Sequence, residues 1–449
     1  MASPLPLPYD AATRCLDRYA WFEAIRALGW AAFLDSGDPA RSGERYDILA
    51  AGPRAVLSGG REPFAAVRRL LAGEESGRGA GDWPVHGAAI GYFGYEIGRP
   101  LAGLAPARHA AAFMPELAIG LYPWTIVVDH LERRAAITSL ASVPAEEVAT
   151  LRDRLLAAPA APLRAFHVDG TIFSTLERDQ YLPRAARVLR YIDAGDCYQA
   201  NLTREFRALC SGDSWTFYRD LHDTNPAPMG AYLEYPFGAV LSSSPERFLV
   251  VEGRDAVTRP IKGTRRRRAS PPEDAAAAAE LLASAKDRAE NVMIVDLLRN
   301  DLGKVCETGS VRVRGLCELE SFATVHHLVS TVTGRLAAGR DALDALEACF
   351  PGGSITGAPK RRAMQIIDEL EPHRREVYCG AIGYVAPGGR MDMNIPIRTT
   401  LVARGELRFY AGGGIVADST PEDEFEETEV KIAAIRRAVA RFSNLVAAA

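Results

Sequence analysis

The side chains with the clearest capacity for chemistry are four carboxylates on two predicted helices. Asp287 and Glu290 lie three residues apart in one helix, and Glu424 and Glu427 have the same spacing in the other. Residues at this spacing project from the same face of a helix. Two such pairs facing one pocket would suit a hard cation with oxygen ligands, Mg²⁺ before Zn²⁺. The alternative is that each pair is a solvated helix face that complements the helix dipole.

Lysine is rare in this chain, so its positions carry information. Only five of the 53 basic residues are lysines, at positions 262, 286, 304, 360 and 431. A lysine amine can lose its proton and act as a nucleophile, whereas a guanidinium keeps its charge. Lys262 follows an apolar strand and precedes Gly263, which makes it the nucleophile candidate. The alternative is a loop lysine that pairs with an acid.

Three further motifs could protonate or bind a ligand. Glu246 lies at a predicted turn before a strand, where a carboxyl group can act as a general acid or simply cap the turn. Gly352–Lys360 is a Gly/Ser/Thr turn before a helix, and such turns present backbone N–H groups to an anion. Its lysine lacks the Walker A spacing, so carboxylate suits it as well as phosphate. A second turn, Gly412–Gly414, lets a ligand approach the backbone closely.

Composition and charge exclude several classes of protein. The chain has 449 residues, of which 48% are hydrophobic, and its net charge of −4 argues against binding to nucleic acid or an anionic membrane. The N-terminal residues do not have the pattern of a signal peptide, and no stretch is apolar for long enough to span a bilayer. The seven cysteines are scattered, which argues against a disulfide framework or a zinc site. We therefore expect a reduced, cytoplasmic protein.

The chain is predicted to contain two regions, residues 1–158 and residues 174–441, with Pro159–Pro162 as the linker. The second region contains the two acidic helices, Asp287–Leu302 and one that begins at Pro421 after a Ser419 or Thr420 cap. The chemistry-bearing residues therefore belong to this region. Its strands are predicted near Arg247–Val251, Val257–Ile261, Gly380–Val385, Met391–Ala403 and Leu407–Ala411.

Taken together, the segments of the second region resemble the chorismate-utilising enzymes. Phe33–Ser36 and Arg45–Ile48 also resemble the amino-terminal region of that family, so the resemblance covers nearly the whole chain. The motifs that carry it, in chain order, are Tyr198–Leu202, Ser244–Phe248, Pro260–Thr264, Asp287–Asn291, Asp296–Asp301, His327–Ser330, Gly353–Lys360, Asn394–Thr399 and Gly412–Lys431.

The resemblance implies an α+β fold of the anthranilate synthase component I type, in which two facing β-sheets form a core flanked by helices. The active site would lie between the sheets. Within the family, Lys262 is similar to the lysine of the aminodeoxychorismate synthase branch, whereas anthranilate synthases have alanine there. Isochorismate and salicylate synthases have a lysine at the position of Gln199.

The reaction implied by this branch is the amination of chorismate at C4, which gives 4-amino-4-deoxychorismate for p-aminobenzoate and folate synthesis. Ammonia would come from a separate glutamine amidotransferase subunit, component II. The alternative readings are anthranilate synthase component I, and a catalytically silent subunit that binds tryptophan or chorismate. Lys262 disfavours the first, and the intact candidate residues disfavour the second.

The resemblance also implies roles for individual residues. Lys262 would add to the ring at C2 as a neutral amine, while Glu246 protonates the departing C4 hydroxyl. Mg²⁺ would be held by Glu290 and Glu427, with Asp287 and Glu424 behind them. The residues implied around the substrate are Gly263, Thr264, His327, Tyr384, Arg398, Gly412, Gly414 and Lys431, and those implied in a tryptophan pocket are Ser36, Arg45, Tyr46, Pro228 and Met229.

Overall fold

The computed structural model describes residues 3–10, 17–37, 44–77, 82–107, 111–158, 162–321 and 325–443. The predicted linker, Pro159–Pro162, lies almost entirely outside these described residues. Within them the chain forms two antiparallel β-sheets of twelve and ten strands. The strands in chain order are β1 Leu5–Leu7, β2 Ala31–Asp35, β3 Tyr46–Ala50, β4 Ala55–Ser58, β5 Ala88–Phe93, β6 Leu117–Tyr122, β7 Trp124–Asp129, β8 Arg134–Ser139, β9 Phe166–Ser174, β10 Gln199–Gly212, β11 Met229–Tyr235, β12 Gly238–Ser244, β13 Arg247–Glu252, β14 Asp255–Thr258, β15 Ile261–Arg266, β16 Arg312–Ser321, β17 Val325–Arg335, β18 Gly357–Ala358, β19 Ala381–Val385, β20 Met391–Asn394, β21 Thr399–Ala403 and β22 Glu406–Ile415.

The larger sheet has the spatial order β1-β8-β7-β3-β2-β11-β12-β21-β22-β10-β18, with β9 paired to β10. The smaller sheet has the order β15-β17-β14-β13-β20-β19-β5-β6-β4, with β16 paired to β17. Strands from the first 158 residues therefore occur in both sheets. The division into two regions stays a prediction.

The helices flank the sheets, and those that carry the acidic pairs begin close to where the sequence predicts. Thr420 caps the last helix through its side chain, which accepts from the Asp423 N–H, and Pro421 occupies the first helical position. The α-helices of the described residues are Asp17–Arg26, Pro63–Leu71, Gly98–Leu101, Ala145–Leu156, Arg178–Asp193, Ser214–Thr224, Pro271–Ala283, Ala285–Gly303, Ala342–Cys349, Lys360–Leu370 and Pro421–Arg441.

The core lies on both faces of the larger sheet because the side chains of its strands alternate between the faces. Ala32 and Ile48 point into the cluster shared with the smaller sheet, whereas their neighbours Phe33 and Leu49 point into a second cluster. That second cluster is covered by helices, including Asp17–Arg26. The predicted α+β fold, with two facing sheets flanked by helices, is confirmed.

Two chain crossings between the sheets position the candidate site. Glu246 lies where the chain leaves β12 of the larger sheet and enters β13 of the smaller one. The predicted strand Met391–Ala403 is wrong, because the chain crosses back at this point and forms β20 and β21 in different sheets. Arg398, at the crossing, has a left-handed φ of 51°. The crossings are joined by hydrogen bonds from Ile395 N to Glu246 O, at 3.0 Å, and from Ser243 N to Arg398 O, at 3.2 Å.

A buried acid near this core gives a prediction for stability against pH. Burial, reinforced by the charge of Glu376, raises the pKa of Glu96 from 4.5 to about 7. Between these values the folded chain holds a proton that the unfolded chain has lost, so this group destabilises the fold as the pH rises. We expect Glu96→Gln to reduce the loss of unfolding free energy between about pH 5 and pH 8 by up to ~3 kcal/mol. Chemical denaturation of both proteins at the two pH values checks this, and parallel losses would contradict it.

Candidate active site

A β-bulge at Gly263 directly follows Lys262 in the edge strand β15. The pairing of β15 with β17 shifts register between Lys262 and Thr264, and Gly263 has a φ of +79°. A Cβ at Gly263 would lie 2.9 Å from Leu281 Cδ1 and 3.0 Å from Asp287 Cβ. Glycine is therefore required here both by the backbone conformation and by the close approach of the acidic helix.

Ser354 links the two predicted catalytic residues. Its Oγ donates to Glu246 Oε1 at 2.6 Å, and its carbonyl oxygen lies 3.4 Å from Lys262 Nζ. The same carbonyl accepts from Asn201 Nδ2 at 3.2 Å. Neither Ser354 nor Asn201 was predicted from the sequence as a site residue. The available signal was the turn Gly352–Lys360, which was interpreted as an anion site and not as a link between an acid and an amine.

The environment of Glu246 favours its protonated form. The residue is only 5% exposed, and burial raises its pKa above the ordinary value. The hydrogen bond from Ser354 and the charge of Lys262 oppose this shift without cancelling it. A carboxyl group with a raised pKa, beside an amine, has the character of a general acid.

The surroundings of three of the four acidic candidates shift their pKa values in different directions. Burial, with the charge of Glu427, raises the pKa of Glu424 to about 7. Its Oε1 accepts from Ser419 Oγ at 2.6 Å, while its Oε2 is buried without a hydrogen-bond partner. For Glu427, burial is outweighed by Lys431 and the pKa is lowered; the two side chains form an ion pair at 2.5 Å. Burial raises the pKa of Glu290 although nearby lysines oppose the shift.

The five lysines fall into two groups. The charges of Lys262 and Lys286 act on Glu290 and Glu427, and Lys431 bonds to Glu427. The remaining two lysines, at positions 304 and 360, both bind the buried Asp301, at 2.7 and 2.6 Å. Lys360 therefore serves the fold, although its Gly-rich turn had suggested a ligand contact.

The glycines of β22 allow the acidic helix and β10 to approach the same point. A Cβ at Gly413 would lie 2.5 Å from Glu424 Oε2, and one at Gly414 would lie 2.3 Å from Gln199 Nε2. The carbonyl oxygen of Gly412 accepts from Lys431 Nζ at 2.8 Å. The predicted turn Gly412–Gly414 is thus the end of a long strand, and its close backbone approach is used by the carboxylates.

We expect Gly413→Ala to displace Glu424 and to weaken activity while leaving the fold intact. The new methyl group would overlap a carboxylate oxygen, so the side chain of Glu424 would have to move away from its present position. The matched control is Gly303→Ala, at the end of the helix Ala285–Gly303, where a Cβ would meet no atom within 4 Å. Steady-state rates and circular dichroism of the two variants check this. Equal rates in both variants would contradict a role for Gly413 in the placement of Glu424.

His327, Thr264 and Arg398 lie together beside the bulge. Thr264 Oγ1 and His327 Nδ1 are hydrogen-bonded at 2.8 Å. Burial, with the charge of Arg398, lowers the pKa of His327 to about 4, so this imidazole is neutral near pH 7. Burial lowers the pKa of Arg398, and the charge of Glu246 opposes that shift. This corner offers a cation and neutral hydrogen-bonding groups to an anionic ligand.

The acidic residues fit Mg²⁺ better than a transition metal. Among the residues that the structure describes, no group of three or more His, Cys, Asp or Glu is already gathered for a metal. Mg²⁺ needs only one or two protein carboxylates, since water and substrate supply its other ligands. Glu427 lies close enough to Glu290 for its charge to raise the pKa of that residue, and the unpartnered Oε2 of Glu424 lies near Glu427 at Gly413, so oxygen donors are present for inner and outer positions.

A cavity of about 260 Å³, named the second cavity below, is lined by most of the residues predicted for the tryptophan pocket. Arg45, Tyr46, Pro228 and Met229 line it. The fifth predicted residue, Ser36, instead donates through its Oγ to Asp47 at 2.5 Å. Tyr384, predicted to lie beside the chorismate ring, lines this second cavity as well. The role predicted for Tyr384 beside the chorismate ring stays a prediction.

Comparison with known proteins shows the family to which the chain belongs. The family model described as chorismate binding enzyme matches residues 20–437. The chain belongs to this family. Aminodeoxychorismate synthase component 1 of Klebsiella aerogenes is 43% identical over 92% of this chain and 94% of its own length.

Anthranilate synthases are similar to this family member as well. Component 1 of Streptomyces coelicolor is 41% identical over 92% of this chain and 84% of its own length. The crystal structure of anthranilate synthase component I from Streptococcus pneumoniae TIGR4 superposes with a TM-score of 0.78 at 30% identity, covering 87% of this chain and 92% of that one. The identities of 43% and 41% therefore separate aminodeoxychorismate synthases from anthranilate synthases only narrowly.

The predicted resemblance to the chorismate-utilising family is thus confirmed. The roles of the individual site residues stay predictions. Within the described parts of the chain, none of the helices is both long and apolar enough to cross a membrane.

Proposed function

We propose that this chain aminates chorismate at C4 and so forms 4-amino-4-deoxychorismate. The observation that carries the proposal is the link through Ser354, which places the amine of Lys262 and the carboxyl group of Glu246 on one residue. A nucleophile and an acid on opposite sides of one small residue can act on the same ring. Lys262 itself supports this branch, since the anthranilate synthases have alanine there.

The reaction can be written in two balanced displacements. The neutral amine of Lys262 adds at C2, the ring double bonds shift, and the C4 hydroxyl leaves as water with a proton from Glu246. Ammonia then adds at C4, the double bonds shift back, and the bond between Lys262 and C2 breaks. Protons released by the two amines restore Glu246 and the lysine. The sum is chorismate plus ammonia to 4-amino-4-deoxychorismate plus water.

The surrounding residues support this chemistry by binding and orientation. Arg398 and Lys431 are the cations available to the carboxylates of chorismate, and the β22 glycines allow the enolpyruvyl group to approach the backbone. The neutral His327, hydrogen-bonded to Thr264, can bind the ring substituents without adding charge. The raised pKa of Glu246 keeps its proton available for the leaving hydroxyl.

Glu290 and Glu427 would hold Mg²⁺, with Asp287 and Glu424 behind them. When bound, the metal would anchor the ring carboxylate and withdraw electron density from the diene. Asp287 is already engaged by Arg265, at 3.3 Å, which fits an outer position.

Ammonia is supplied in this proposal by a separate glutamine amidotransferase subunit, component II. The name component 1, carried by the relatives, fits a two-subunit enzyme. The product would serve p-aminobenzoate and folate synthesis in the cytoplasm.

The second cavity is proposed to bind tryptophan. Its side chains combine apolar surface with charges of both signs, including Arg247 ion-paired to Glu44 at 2.6 Å and to Asp392 at 3.1 Å. A free amino acid carries both charges on one end and, in tryptophan, a large apolar side chain on the other. A calorimetric titration with tryptophan should give a saturable one-site isotherm, and a featureless titration would contradict this part of the proposal.

The test of the proposed function needs the purified chain, chorismate, Mg²⁺ and an ammonium salt. We expect a non-aromatic aminated product that a lyase converts to p-aminobenzoate, detected by chromatography and mass spectrometry. Fluorescent anthranilate would instead assign the chain to the other branch. If chorismate is consumed only after an amidotransferase is added, the enzyme depends on its partner; if it is consumed under neither condition, the proposal fails in favour of a silent subunit.

A further inference from the structure

A buried ion pair outside the residues discussed so far lies directly behind the candidate active site. Arg375 is 1% exposed and Glu371 is 3% exposed. Arg375 Nε donates to Glu371 Oε2 at 2.9 Å, and its Nη2 donates to Oε1 at 2.7 Å. This two-pronged geometry fixes the plane of the guanidinium, because two nitrogens on one of its edges donate to the two oxygens of the same carboxylate.

The other N–H groups of Arg375 reach the backbone of the active site. Nη1 donates to Ile355 O at 2.8 Å, and Nη2 donates to Asn201 O at 3.0 Å. Ile355 directly follows Ser354, and the side chain of Asn201 donates to the Ser354 carbonyl. One guanidinium therefore holds both segments that meet at Ser354, the turn Gly353–Ile355 and the strand β10.

Glu371 anchors the same strand independently. Its Oε1 accepts from Thr203 N at 2.8 Å and from Thr203 Oγ1 at 2.7 Å. Thr203 pairs with Gly412 in β22, so the anchored part of β10 is the part that pairs with the three glycines Gly412–Gly414. Removing either partner of such a buried pair would leave an uncompensated buried charge, so each of the two residues requires the other.

We infer that Arg375, held by Glu371, is a positioning residue that sets Ser354 between Glu246 and Lys262. Arg375 acts through the backbone of Ile355 and Asn201, and none of its four side-chain hydrogen bonds goes to Glu246 or Lys262. The inference rests on the proposed function, since it gives Ser354 its importance for chorismate turnover.

A double-mutant cycle tests the inference. The variants are Arg375→Lys, Ser354→Ala and the double variant; Arg374→Lys, whose guanidinium bonds to Glu116, is the matched control. Lysine keeps the positive charge at position 375 but cannot make all four hydrogen bonds. Each protein is first compared with the wild type by circular dichroism and thermal unfolding.

We expect Arg375→Lys to lower kcat by about 10-fold or more while the KM for chorismate changes by less than about threefold, because alignment is lost more than binding. In the Ser354→Ala background the same substitution should lower kcat by less than about threefold, since coupled residues are not additive. Arg374→Lys should leave kcat unchanged.

An equal loss of kcat in both backgrounds, an effect confined to KM, or the same loss in Arg374→Lys would overturn the inference. If Arg375→Lys does not fold, Glu371→Gln replaces it in the cycle, and failure of both to fold would assign the pair to stability alone. The cycle follows chorismate consumption, so it remains readable if the wild-type product is not aminated at C4. That outcome would refute the proposed function instead.

Discussion

Lys262→Ala is expected to lower the rate of amination at C4 by at least about 1,000-fold, the order seen when a covalent nucleophile is removed. Lys262 precedes the bulge at Gly263, and its Nζ lies 3.4 Å from the carbonyl oxygen of Ser354. Alanine removes the amine that forms the covalent bond to C2, and no neighbouring arginine can replace it. Chorismate affinity should stay nearly unchanged, since the cations proposed for its carboxylates remain.

The control for this substitution is Lys304→Ala. Lys304 is about half exposed and binds Asp301 in the last turn of the helix Ala285–Gly303, at the opposite end of that helix from Asp287 and Glu290. Rates and chorismate binding of both variants, measured by product chromatography and calorimetry, separate chemistry from charge. Equal loss of binding and rate in Lys262→Ala would mean that the lysine is structural, and the covalent step would be abandoned.

Glu427→Gln is expected to weaken Mg²⁺ binding by about 10- to 100-fold, the usual cost of disturbing a metal site. The amide keeps the shape of the side chain but removes its charge, and it also breaks the ion pair with Lys431. Activity should recover in part at high Mg²⁺ concentration. Calorimetric titration with Mg²⁺ measures the affinity directly, without relying on turnover.

The neighbouring Glu426→Gln is the matched control for charge. Glu426 is exposed and pairs with Arg178 at 2.8 Å on another face of the same helix. Its substitution should leave the Mg²⁺ titration unchanged. A titration that is also unchanged in Glu427→Gln would remove this residue from the proposed metal site.

Local signals in the sequence were sufficient for the elements that carry the acids. The last helix could be placed from Thr420 and Pro421 because a cap and a first-turn proline act within a few residues. Lys262 could be singled out because lysine is scarce, and Glu246 because it sits in a turn within a recognisable motif. The structure brings these two together through Ser354.

The remaining features depend on contacts between distant segments. Met391–Ala403 reads as one strand, yet the chain crosses between sheets at Arg398 because each half pairs with a different partner strand. Arg375 and Glu371 look like ordinary surface charges in the sequence, since their burial follows only from the packing of β10 against the Ser354 turn. That Tyr384 lines the second cavity follows only from the assembly of distant segments around that cavity.

The position of nitrogen in the product is a direct test of the proposed amination of chorismate at C4. The wild-type chain is incubated with chorismate, Mg²⁺ and ¹⁵N-labelled ammonium, and the product is examined by NMR. We expect ¹⁵N to be bonded to C4 of a non-aromatic ring that keeps its enolpyruvyl ether. Label on C2 of an aromatic ring that has lost this ether would contradict it.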